Sequence, residues 1–252
     1  MGRQDGVLQF TGQIGGLSFY KSKQGYQVRR KGGITADRIR NDPAFERTRE
    51  NGQEFGRAGR ANRLLRSAFR SLLLKSADAL MTSRMSREMM KVIQADTINR
   101  RGARIVLGQN TILLQGFEFN EAAKLGSSLY APFTAEIDRA TGTLTVTVPA
   151  FIPQQMITPP SGSTHAQLVT AGAEINFTDS SFVISTSQSD QFAFDNLPLP
   201  QITLTQSLQA NSTQPLFLAF GISFYQEVNG VLYPLKNGAY NALALVKIDG
   251  GV

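Results

Sequence analysis

Residues 42–80, DPAFERTRENGQEFGRAGRANRLLRSAFRSLLLKSADAL, constrain the fold most, because they sort onto opposite sides of one long helix. At about 100° per residue, Ala58, Ala61, Leu65, Ala68, Phe69, Leu72 and Leu73 share one broad arc. Arg60, Arg63, Arg66 and Arg70 fall on the opposite arc, together with Gly52, Gly56 and Gly59. Part of the basic face is therefore almost bare backbone. A glycine inside a helix costs about 1 kcal/mol relative to alanine. Three of them so close together predict either close approach by another chain or a break between Gly52 and Gly59. The start is well marked: Asn41 or Asp42 suits the N-cap, Pro43 the first helical position, and Glu46 the positive end of the dipole.

A second helix is expected over residues 83–98. Thr82 or Ser83 would cap it, Met85, Met89, Val92 and Ile93 would form its buried stripe, and Gly102 in NRRGAR would end it. Before the long helix, residues 6–31 read as a small β-meander, with turns at Gly15-Gly16 and at KSKQG. So little sheet makes no core of its own, and it must pack on other parts of the chain or on a neighbour. After residue 103 the apolar period falls from 3.6 to 2. FTAEIDR and TLTVTVPAF form a hairpin turning at Thr141-Gly142. Strands follow at AQLVTAG, AEINF, SFVISTS, QITLTQSL and PLFLAFGISFYQEV, and Asn229-Gly230 turns the chain into VLYPL before the closing strand NALALVKID. The expected class is α+β: an N-terminal β-meander or arm (1–41), a central segment of two helices (42–104), and a C-terminal antiparallel β-sandwich of immunoglobulin or fibronectin general type (105–252).

Charge separates along the chain. Residues 1–104 hold 22 Lys and Arg against 9 Asp and Glu, a net +13, whereas residues 105–252 hold 4 against 10, a net −6. Such asymmetry suits a polyanion partner for the front, or attraction between the front of one copy and the back of another. With 41% hydrophobic residues, the 252-residue chain can bury a substantial core. It has no run of 18 apolar residues, so no membrane span is expected. The N-terminus is too polar for a Sec signal, so synthesis in the cytoplasm is expected, and the final location is left open, release as a particle or filament by another route included. Without cysteine there are no disulfides or thiolate sites, and the single histidine, His165, makes no clustered metal site. No phosphate-binding glycine loop or nucleophile elbow occurs. The carboxylate pairs Glu136/Asp138 and Glu118/Glu121 are weighed as a glycosidase pair against the blander reading of a solvated surface.

Three stretches, GGLSFYKSKQGYQVRRKGG (15–33), NDPAFERTRENGQEFGRAG (41–59) and GISFYQEVNGVLYPLKNGAYNALALV (221–246), resemble a family of uncharacterised proteins encoded in Bacteroidota genomes. The resemblance spans nearly the whole chain; it implies a source and carries over no activity, cofactor or site residue.

These readings converge on a non-enzymatic structural protein that assembles head-to-tail with its own copies into a filament, tube or other large homopolymer, such as a phage-like particle component. No catalytic residue, cofactor, metal or small-molecule substrate is expected. The assembly interface is placed on Tyr20, Tyr26, Gly52, Gly56, Gly59, Arg60, Arg63 and Arg66, meeting Glu136, Asp138, Glu174 and Asp179 of a neighbour. The alternative is a nucleic-acid-binding module contacting phosphates through Lys21, Lys23, Arg29, Arg30, Lys31, Arg57 and Arg70. Against it stands the acidic stripe Glu46, Glu50 and Glu54, expected to pair with Arg49 and Arg57 on the same helix.

Overall fold

The computed structural model describes residues 2–22, 25–30 and 32–251. The chain divides into two compact units, Met1–Glu50 and Asn51–Val252.

In the first unit, β1 (Gly2–Arg3), β2 (Gly12–Ile14), β3 (Leu17–Ser22) and β4 (Gly25–Arg30) form an antiparallel sheet in the order β1-β4-β3-β2. The β2–β3 turn lies at Gly15-Gly16, where Gly15 adopts a φ of +56°. The first expected strand is shorter than its alternation suggested: of residues 6–14 only the last three pair, and β1 takes the free edge of β4. The second turn lies partly outside the described residues, as do Lys23 and Lys31. No described residue of these strands is fully buried. A short helix, α1 (Ala36–Asn41), follows; its N-cap Thr35 accepts the Arg38 N–H. It precedes the NDP signal, where the sequence places the first helix start. Asp42 does act as a cap, its side chain accepting the Ala44 N–H at 2.9 Å, but the turn it caps is a 3-10 turn over Pro43–Phe45.

The long helix α2 (Glu46–Ala68) is continuous, and the three glycines do not break it. Phe69, at φ −88° and ψ 14°, interrupts the helix, and the one-turn α3 (Arg70–Leu73) follows. Next comes α4 (Met81–Gln94), which buries Met81, Met85, Met89, Val92 and Ile93. The anticipated stripe is there, but the helix starts and ends earlier than its sequence signals. No side chain caps its first turn. Asp78, placed before it, accepts the Leu80 N–H at 2.7 Å and pairs with Arg84.

Two sheets complete the second unit. The smaller contains β5 (Thr134–Asp138), β6 (Thr143–Val148) and β10 (Ile202–Ser207) in the order β10-β6-β5. The larger contains β7 (His165–Asn176), β8 (Ser181–Gln188), β9 (Phe192–Ala193), β11 (Leu216–Val228), β12 (Val231–Pro234) and β13 (Ala242–Asp249). The strand β11 organises it. One edge pairs with β7; the other pairs with β13 along its first half and β12 along its last residues. Asn229 and Gly230 both take positive φ, 53° and 78°, as the tight β11–β12 hairpin requires.

Alternation along β7, β11 and β13 builds three layers. Ala171, Ala173, Ile175, Phe217, Ala219, Leu243 and Leu245 face the helices and share one core with Leu65, Phe69, Met85, Met89 and Ile93. Leu168, Leu218, Phe220, Ile222 and Phe224 point the other way, against Leu144, Val146, Val148 and Leu204 of the small sheet. A bulge opposite Leu218/Ala219 skips Val246, which returns Ile248 to the helix side. The class is therefore α+β. The helical stretch after Asn51 and the sheets, expected as separate parts, share a core.

The segments AQLVTAG and AEINF, expected as two strands, are one strand. Its glycine, Gly172, marks a close approach of the sheets: a Cβ there would lie 3.0 Å from Leu144 Cδ2 and 3.3 Å from Gln206 Cβ. Gly221 in β11 marks a close approach within the large sheet, where a Cβ would meet the carbonyl oxygen of Ala242 on the neighbouring β13 at 2.2 Å.

Candidate interaction surface

The site is built on the side of α2 turned away from the core. Ala58, Ala61, Leu65 and Ala68 bury one side of the helix, so its period places Gly52, Phe55, Gly59 and Arg63 outside, and all four are exposed. Phe55 is 62% exposed. A Cβ built on Gly52 or Gly59 would meet nothing within 4 Å, and one on Gly56 only the Arg60 guanidinium at 3.9 Å. All three keep ordinary helical φ values. Nothing in the second unit calls for their missing side chains.

The carboxylate stripe expected on this helix is divided between two jobs. Glu50 accepts from Arg47 at 2.8 Å. Glu54 is buried and accepts the Gly102 N–H at 2.8 Å, while Arg57, one turn on, donates to the Gly102 carbonyl at 2.6 Å. The pair thus clamps both backbone polar groups of one buried residue, a glycine with a φ of +82°. The expected Glu54–Arg57 ion pair is replaced by this clamp, because a buried carboxylate needs donors and the Gly102 backbone supplies one. Arg49 likewise serves backbone, donating to the Ile39 and Asp42 carbonyls at 2.9 Å each.

Further along, Arg60, Arg63, Arg66 and Arg70 make no ion pair among the described residues. Arg63, Arg66 and Arg70 line a concavity of about 370 Å³ whose other walls include Leu73, Leu74, Ala77 and Met81. Arg66 Nε is buried there without a hydrogen-bond partner.

The expected acidic partners have different surroundings. Glu136 and Asp138 are exposed on one face of β5. Asp138 closes its own hairpin, accepting the Ala140 N–H at 3.0 Å and the Thr141 hydroxyl at 2.8 Å; those bonds to Thr141, foremost the hydroxyl, hold its carboxyl below the usual range. Asp179 accepts from the Asn176 side chain at 2.9 Å in the β7–β8 turn. Glu174 is half-buried, with one carboxylate oxygen unpartnered.

In the first unit, cations and rings pair across the β3–β4 ladder: the Lys21 ammonium lies 5.4 Å from the Tyr26 ring and the Arg29 guanidinium 5.5 Å from the Tyr20 ring. Arg30 is exposed at the end of β4.

The second carboxylate pair considered for chemistry, Glu118 and Glu121, is engaged by neighbouring backbone and cations. Glu118 is pushed up by burial and accepts the Leu125 N–H, while a hydrogen bond from Lys124 holds Glu121 down. Arg84 binds this segment to α4, reaching Asp78 at 2.5 Å, Glu121 at 3.4 Å and the Glu118 carbonyl at 2.7 Å. His165 Nδ1 lies 2.9 Å from the Thr164 hydroxyl, with Glu227 3.9 Å from Nε2. Among the described residues, no group of three or more His, Asp or Glu could hold a metal ion, and no helix is long and apolar enough to cross a membrane. A cleft of about 400 Å³ opens beside the large sheet. Hydroxyls and amides line it, among them Ser71, Gln167, Thr186, Gln188 and Tyr225, with Lys75 the one charged side chain.

The exposed arginine and glycine positions were legible from helical period. Two features were not: the inward turn of Glu54, and the concavity closed by Leu74 and Met81. Both depend on where the chain goes after α2. No family model matches the chain, nor does any curated protein or solved structure.

Proposed function

We propose that the chain is a non-enzymatic structural protein that polymerises head-to-tail, the glycine and arginine face of α2 in one copy meeting the acidic β part of the next. The observation that carries this reading is the open space over Gly52 and Gly59, with only the Arg60 guanidinium beside Gly56 between them. Glycine is costly inside a helix and has no local use here, so its value lies in admitting another backbone. Exposed Phe55 and the arginines border that strip, as an apolar anchor and charged rim would. A contact between two different surfaces gives a ring if its rotation closes and a filament if it does not. The two sheets that face one another over Leu144, Phe220 and their neighbours are the part we assign to an immunoglobulin-type sandwich, carrying the acidic surface. Gly56→Leu tests the reading. The variant should keep its far-ultraviolet circular dichroism while light scattering and negative-stain microscopy show no polymer. Assembly equal to the parent's would place the interface elsewhere.

The cation–ring pairs Lys21/Tyr26 and Arg29/Tyr20 favour a second reading, a surface for single-stranded nucleic acid. In that reading the phosphate contacts are Lys21, Arg29, Arg30 and Arg70; Arg57 is already engaged with Gly102. Binding would fall steeply with salt, and no binding at about 50 mM salt would end it.

A further inference from the structure

We infer that the arginine concavity at the end of α2 receives the segment Asp195-Asn196-Leu197-Pro198 from a second copy of the chain. This rests on the self-assembly reading and names the surfaces that meet. The concavity combines two chemistries. Arg63, Arg66 and Arg70 supply forked cationic donors, and Leu73, Leu74 and Met81 supply an aliphatic wall. Leu74 is 73% exposed, so that wall is open to a partner. A fitting occupant carries a carboxylate and an aliphatic anchor close together. No aromatic side chain lines the concavity, so it offers no stacking platform for a base, which favours a peptide over nucleic acid.

The loop between β9 and β10 has that composition. Asp195 is exposed, and its side chain accepts the Leu197 N–H at 3.1 Å, making a turn that carries Leu197 outward at 69% exposure. Asp190 adds a second exposed carboxylate nearby, and no lysine or arginine occurs between Arg139 and Lys236. Unopposed acid with a leucine thus complements unpaired arginine with a leucine and methionine wall. In the assembly, Leu197 sits against Leu74 and Met81, and Asp195 pairs with Arg66 or Arg63. The two surfaces differ, so each copy keeps one of each free for further neighbours.

The full chain carrying Leu197→Asp, with methionine methyl groups labelled with carbon-13, keeps the concavity open for a probe. Titration with the capped hexapeptide of residues 195–200 should shift the Met81 methyl resonance saturably at millimolar concentration. Adding Arg66→Glu to the chain, or Leu197→Asp to the peptide, should reduce the response at least tenfold. An unmoved Met81 resonance overturns the assignment. So does one that moves with a short thymidine oligonucleotide and not with the peptide. Light scattering of the wild-type chain reads assembly separately: polymer without a Met81 response sinks this inference alone, and a Met81 response without polymer sinks the polymer reading.

Discussion

Single residues in this protein are decided by what their polar atoms find once buried. Asp96 is 1% exposed and follows α4, where nothing in DTINRRG marks it as special. Burial alone would raise its pKa. Against that, N–H groups of Asn99, Ile105 and Ile98, with the Asn99 side chain, converge on the carboxylate and hold it at about 2, below its usual 3.8. A carboxyl whose pKa is lowered by folding stabilises the native state above its unfolded value, and that contribution is lost as pH falls through the folded one. The window therefore runs from about pH 4 down to about pH 2. Asp96→Asn should cost about 1–3 kcal/mol at neutral pH, because an amide turns a donor toward these N–H groups. It should also flatten the acid limb of stability against pH. Urea unfolding at a series of pH values measures both, and an unchanged acid limb would show that other carboxyls dominate it.

At the scale of elements, α2 carries a conflict between its own stability and what it presents. The helix would be more stable with alanine at its three glycines, at about 1 kcal/mol each. Since the space beside Gly52, Gly56 and Gly59 is open, the triple substitution to alanine should stabilise the monomer by about 2–3 kcal/mol. The midpoint should rise by roughly 2–4 °C per kcal/mol for a chain of this size. Assembly should weaken in the same variant, because three methyl groups hold the neighbouring backbone away. Calorimetry beside light scattering checks the pair of outcomes; a rise in melting temperature with undiminished assembly would leave the glycines without a role in the interface. In β7 and β11 the glycines do the opposite work: a Cβ on Gly172 would crowd Leu144 and Gln206, and at Gly221 the neighbouring strand leaves no room for one. Sequence cannot separate the two kinds of glycine, because the difference lies in what packs opposite.

For the whole molecule, charge acts between surfaces that are far apart in sequence. In the proposed head-to-tail assembly, a +13 front would attract a −6 back over a Debye length, about 8 Å at physiological salt. Wild-type assembly should therefore strengthen as salt is lowered. Arg63→Glu removes one exposed cation and adds an anion, so it should weaken assembly and reduce its preference for low salt. Sedimentation across a salt series reads both effects; a variant with the parent's salt response would put the electrostatic contact outside this part of α2. The stripe Met85, Met89, Val92 and Ile93 and most of the strands from residue 134 onward were legible, because period reports which side of an element is buried. The layering was not. β7 is buried along nearly its whole length, so its alternation is masked, and which face met helices and which met sheet was invisible.

Sequence alone determined the long helix, the methionine stripe, most strands after residue 134, their order and the asymmetry of charge, since backbone propensity, apolar period and turn chemistry are local. It also determined that Arg60, Arg63 and Arg66 would share a face with Gly52, Gly56 and Gly59. Only tertiary structure decided that this face is open, that Glu54 turns inward to hold Gly102, and that Arg66 stands beside Leu74 and Met81 in one concavity. Those outcomes depend on contacts between residues distant along the chain, and such contacts arise only when the helices and both sheets close on a shared core.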